Sequence, residues 1–189
     1  MKQKRTFLTL LLVLVVLCLG IAYAAITSVT LTITGNVSAL AADGTIDVRF
    51  TKAEVADGSE GAVLAEPFTQ TDPGDESTKD YTKATINVSQ LTTEGDKATV
   101  VYTIENFATD IAATLGTPSV VWDNTEWFDV KCTLSGNDLA KHSDATTDTQ
   151  TATVVVTLLK TPVSTADQTA AADEITISIV ASPVDNDVQ

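Results

Sequence analysis

Apolar and polar residues alternate along most of this 189-residue chain, and the alternation begins early. Val29, Leu31 and Ile33 alternate with Thr30, Thr32 and Thr34, and Gly35-Asn36 closes the run. A period of two in mostly β-branched residues predicts a half-buried strand. Ile46, Val48 and Phe50 alternate in the same way with Thr45, Asp47 and Arg49, after the turn signal Asp43-Gly44. These two segments are candidates for neighbouring strands, joined by a linker too long for a tight hairpin.

From Lys52 to Lys83 the pattern gives way to Gly, Asp, Glu, Ser, Thr and Pro, with Asp72-Pro73-Gly74-Asp75 as the strongest turn signal. So long a structureless stretch is uncommon inside a compact domain. The expectation is therefore a long acidic loop over about 52–83 that contains a short strand around Ala62 to Phe68. Alternation then returns. Ala84 to Ser89 turns Ile86 and Val88 one way, and Lys97 to Glu105 does the same with Ala98, Val100, Tyr102 and Ile104. Glu94-Gly95-Asp96 lies between them, so the pair is expected to form a hairpin.

Ser119 to Trp122, Trp127 to Leu134, Thr151 to Leu159 and Glu174 to Ala181 continue the rhythm. Helical spacing is not sustained over three turns after the first 25 residues, although Ala108 to Leu115 and Ser164 to Ala172 are expected to give a helical turn or two. About eight strands predict an all-β fold, an antiparallel β-sandwich of jelly-roll or immunoglobulin-like connectivity. Strand order is not legible from this pattern.

The opening of the chain follows a different rule. Lys2, Lys4 and Arg5 precede an uncharged run from Phe7 to Ala22, and Ala22-Tyr23-Ala24 then supplies small residues at the two positions a signal peptidase reads. This predicts a secretory signal cut between Ala24 and Ala25. A retained membrane anchor is the competing reading, because roughly 18 to 20 apolar residues also span a bilayer. Residues 1–24 are thus a signal peptide and 25–189 one sandwich domain, secreted or held at the cell surface, with membrane contact only through the segment before cleavage.

Charge narrows the partners. Of 11 basic residues, three belong to the signal, leaving eight against 25 acidic ones, a net charge of −17. Such a surface repels nucleic acid, which is not expected as a partner. Beyond the signal Cys132 is the single cysteine, so no disulfide forms within the domain, a habit of bacterial exported proteins.

Little chemistry is visible. His142, the only histidine, falls in the polar run Lys141-His142-Ser143-Asp144, which excludes a two-histidine zinc motif. A Ser-His-Asp set would need that ring held by a carboxylate beside a nucleophile. Cys132 keeps phase with Phe128, Val130 and Leu134 and reads as a core residue. No catalytic, cofactor-binding or metal-binding residue is assigned, and the chain is read as non-enzymatic. Trp122 and Trp127 flank Asp123-Asn124-Thr125-Glu126 and form a candidate glycan platform. Three functions compete: a structural subunit, an adhesin or glycan-binding module, and a secreted hydrolase.

One resemblance bears on that choice. Leu19-Gly20-Ile21-Ala22-Tyr23-Ala24-Ala25 followed closely by Thr30-Leu31-Thr32-Ile33-Thr34-Gly35-Asn36 resembles the start of the TasA/camelysin group of exported biofilm-matrix proteins. Tyr102-Thr103-Ile104-Glu105-Asn106 and Ile175 to Pro183 resemble surface β-sandwich modules of that kind. The resemblance implies a jelly-roll subunit that self-associates into polymers, the N-terminal strand of one molecule adding to the sheet of the next. Val29, Leu31 and Ile33 are then the candidate donor positions. The competing assignment makes the same segment the first strand of its own sandwich. Some camelysin-type members are called metalloproteases, but with one histidine no metal site transfers to these positions.

Overall fold

The structure, a computed structural model, describes residues 29–37, 46–143, 148–164, 167 and 174–184; the signal segment with Ala22, Ala24 and Ala25 lies outside them. The strands in chain order are β1 (Val29–Val37), β2 (Val48–Val55), β3 (Ala62–Glu66), β4 (Thr69–Gln70), β5 (Lys79–Asp80), β6 (Lys83–Ser89), β7 (Lys97–Asn106), β8 (Ala113–Leu115), β9 (Ser119–Val121), β10 (Phe128–Leu134), β11 (Asp138–Leu139), β12 (Thr149–Leu158) and β13 (Glu174–Pro183). The described residues are all-β, and their two main sheets pack as a sandwich. One sheet runs β11-β8-β13-β1-β6-β3, with β9 also paired to β13; the other runs β10-β12-β7-β2. All pairings are antiparallel except β1 with β13.

The inward positions of the alternating segments make one core. Ile33, Ala84, Ile86, Val88, Ile175, Ile177 and Ile179 come from the first sheet, and Phe50, Val100, Tyr102, Ile104, Val154 and Val156 from the second. Burial of these branched side chains is what holds two-sided strands in one register, because a slip of one residue would turn every apolar group outward. Phe50 meets Tyr102 edge to face, with ring centroids 5.9 Å apart. The Tyr102 hydroxyl donates across the sandwich to the Thr85 carbonyl at 2.8 Å, tying β7 to β6. A bulge after Phe50 shifts the register of β2 against β7.

Two expected neighbour relations do not hold. β6 and β7 are not a hairpin, since they belong to opposite sheets. Gln90, at φ 65°, turns the chain over the edge of the sandwich, and Leu91 plugs in behind it at 1 % exposure. The turn that follows docks on β12: Gly95 N donates to the Leu158 carbonyl at 2.8 Å and Leu158 N to the Asp96 carbonyl at 2.9 Å. β1 and β2 likewise sit in different sheets. Alternation fixes which face a strand buries, not which partner lies beside it.

The Lys52 to Lys83 stretch carries β3, β4 and β5 and a 3-10 turn at Glu76–Thr78. β3 pairs with β6 along its length, and Gly61 lets it start there. At φ +74° a Cβ on Gly61 would meet the Ser89 carbonyl oxygen at 2.3 Å. Ala108 to Leu115 ends in β8 rather than a helical turn. Ala113 and Leu115 are buried and Thr114 is not, so three residues of alternation suffice where β13 offers an edge. Most of Ser164 to Ala172 lies outside the described residues.

Candidate functional site

The feature with the clearest functional content is the position of β1. It lies between β6 and β13, inside the sheet, although it is the first strand described. On one side Val29 to Thr34 pair with Val88 to Lys83, and on the other Thr30 to Val37 pair with Glu174 to Ala181. Ile33 is fully buried, opposite Ala84 and Ile177. The strand carries no charge. Its neighbours supply the walls of a slot: Ala84, Ile86 and Val88 on β6, and Ile175, Ile177 and Ile179 on β13, all buried. Of the three candidate donor positions, the structure describes the Ile33 side chain; those of Val29 and Leu31 lie outside the described set.

Where the chain leaves β1 there is a small, partly open hollow between the sheets. Val48, Phe50, Ile104, Leu115, Ile179 and Ala181 line it, with Arg49 and Thr82 at its margin. Arg49 is anchored by two hydrogen bonds of 2.7 Å to the Asp47 carboxylate, and its guanidinium lies 5.0 Å from the Phe107 ring centroid.

The two tryptophans come together, but not as an open platform. Trp127 is only 9 % exposed and belongs to the core, and Trp122 packs against that core with its indole Nε1 donating to the Phe128 carbonyl at 3.0 Å. The Lys160 ammonium, ion-paired with Glu126, covers Trp127 at 5.7 Å from its ring. Both indoles are engaged in closing one end of the sandwich.

His142 is half-buried and stacked on Phe107, ring centroids 5.5 Å apart, with Nδ1 3.5 Å from Glu105 Oε1. A carboxylate thus faces the ring. Sequence reading put His142 in a polar loop and missed the stack, because Phe107 and Glu105 are brought to it by the end of β7. Among the described residues no group of three or more His, Cys, Asp or Glu side chains converges as a metal site.

Cys132 packs against the core, and burial pushes its thiol up to about 11. Burial also pushes the Tyr102 hydroxyl above its ordinary value, reinforced by Cys132 and Glu66. Both groups hold their protons more tightly folded than unfolded. Their contribution is fully present below the unfolded values and lost as pH rises through the folded ones. Stability is therefore expected to hold to about pH 9 and then decline, as the unfolded thiol ionises. Tyr102→Phe should remove the part of the decline that sets in above about pH 10, while lowering the neutral-pH stability by about 1 kcal/mol through the lost inter-sheet hydrogen bond. Urea titrations of both proteins at pH 7, 9 and 10.5 check this; parallel pH curves would refute it.

No family model, no curated protein and no solved structure matches this chain.

Proposed function

We propose that this chain is an exported, non-enzymatic structural protein, the subunit of an extracellular surface or biofilm-matrix fibre, assembled when β1 of one copy takes the β1 position in the next. The observation that supports it most is the placement of an uncharged N-terminal strand between two strands of the same sheet. Once the chain is cut after Ala24, such a strand is joined to the rest of the domain at one end only. Withdrawing it leaves two unpaired edges and an apolar slot, and an identical strand from another molecule restores every contact. The connector between Val37 and Val48 has ten residues, enough to reach about 35 Å when extended. The resemblance of Leu19 to Ala25 and Thr30 to Asn36 to the TasA/camelysin group supports this reading and implies a jelly-roll form of the sandwich.

The closed monomer competes, because a tethered β1 has a high effective concentration at its own slot. Assembly is therefore expected to rise steeply with protein concentration. The chain from Ala25 to Gln189 should form elongated polymers, visible by light scattering and electron microscopy. A version lacking residues 25–37 should neither polymerise nor hold its fold alone, and an added peptide of residues 28–37 should bind it and restore the fold. A chain that stays monomeric at every concentration, or a deletion that polymerises equally well, would sink the proposal.

A further inference from the structure

The two ends of β1 are not held alike. Thr30 to Thr34 pair on both sides, whereas among the described residues Gly35, Asn36 and Val37 pair with β13 alone. Toward the other end Thr30 is already held on both sides, by Glu174 on β13 and Asn87 on β6. Two positions beyond the buried Ile33 the strand faces the core again, and there the sequence places Gly35, with no side chain to bury. Its register partner Ile179 lines the hollow, as does Ala181, the partner of Val37.

We propose that this hollow is the foothold for β1 of a second copy, so that strand exchange starts at Gly35 to Val37 and runs toward Val29. The inference rests on strand donation as read above and adds the end at which it begins. An exchange is fast when the newcomer gains contacts before the resident strand gives up its own. Here the newcomer can lie along the β6 side of Gly35 to Val37, where no described strand pairs, and set one apolar side chain among Phe50, Leu115 and Ile179. The resident then peels from the end where it loses hydrogen bonds to one neighbour and uncovers no core side chain at Gly35. Peeling from the opposite end would have to break two-sided pairing along Thr30 to Thr34.

The test follows uptake of a fluorescent peptide of residues 28–37 by the unlabelled chain from Ala25. On the native sequence, a peptide of residues 28–34, which lacks the foothold, should enter roughly tenfold more slowly, while one of residues 31–37 should start at nearly the full rate. Ala181→Val and Leu115→Phe fill the hollow from its walls. A variant whose urea midpoint shows it folded should take up the full peptide about tenfold more slowly, to the same final extent. Equal rates for the 28–34 and 28–37 peptides overturn the proposal. So does an unslowed folded variant, the result expected if the hollow is filled by the chain's own residues. Either result with uptake intact leaves strand donation standing; no uptake by the full chain or by the 25–37 deletion removes both.

Discussion

The substitution Ile33→Asp is expected to unfold the domain outright. Ile33 has no exposure and packs between Ala84 and Ile177 in the centre of the larger sheet. Losing the buried aliphatic side chain alone removes about 3 kcal/mol, and the carboxylate must then be either desolvated or held protonated against its normal tendency, at a further cost of about 2 kcal/mol or more. The total of about 5 kcal/mol matches the whole stability of many domains. Asn87→Asp is the matched control. Asn87 lies between Ile86 and Val88 on β6, on the opposite face, and pairs with Thr30 and Leu64. Its change should stay within about 1 kcal/mol. Urea denaturation followed by tryptophan fluorescence separates the two, and equal midpoints would show that β1 does not contribute Ile33 to the core.

That contrast also marks what alternation can and cannot convey. The faces of β6, β7, β10, β12 and β13 follow directly from residues such as Ile86, Val100, Val130, Val154 and Ile177, each buried where the period of two placed it. Partners were not legible, because one apolar face fits either sheet. Glu94-Gly95-Asp96 is a true turn, yet it closes onto Leu158 of β12 rather than pairing β6 with β7. The reason lies in Gln90 and Leu91, where a left-handed residue and a buried one carry the chain across, and neither type announces that role in a sequence. β8 is shorter than any window in which a period can be recognised, and its pairing with β13 on one side and β11 on the other gives it a reason to exist.

The candidate site was legible in part for a related reason. The uncharged alternation of Val29 to Thr34 marks a strand able to serve any edge, and the sequence could not choose between its own sheet and another's. The described chain places β1 between β6 and β13, which makes the slot visible; the one-sided pairing of Gly35 to Val37 appears only in the register. For Trp122 and Trp127 residue type suggested a binding face, but burial depends on what packs behind them, here Phe128 and the end of β12.

Asn106 carries the second large effect. It is the one buried polar residue of the core described, 1 % exposed at the end of β7. Its Nδ2 donates to the Ile111 carbonyl at 2.8 Å and the Ala140 carbonyl at 3.3 Å, and its Oδ1 accepts from Ala108 N at 3.1 Å. One side chain thus satisfies three backbone groups on two loops, which also meet directly through His142 N donating to the Ala108 carbonyl at 2.7 Å. Asn106→Leu keeps the volume and removes all three bonds, leaving two carbonyls and an N–H without a partner in a region that excludes water. Each such group costs about 1–3 kcal/mol, so a loss of roughly 2–4 kcal/mol is expected after the loops relax. Asn106→Asp keeps the acceptor for Ala108 but turns a charge toward two carbonyls; at pH 7 it should be the worse variant. Burial against two carbonyls raises the pKa of that carboxyl above its unfolded value, so the deficit relative to the parent narrows as pH falls through the folded value and is smallest below about pH 4, where the protonated carboxyl can again donate to one carbonyl. The His142 ring resonance gives an independent readout, because the stack on Phe107 depends on the same loops. A urea midpoint and a His142 signal both unmoved in Asn106→Leu would mean that the loops hold without this residue, and that the end of the sandwich beside Arg49 and the β1 exit is fixed by packing alone.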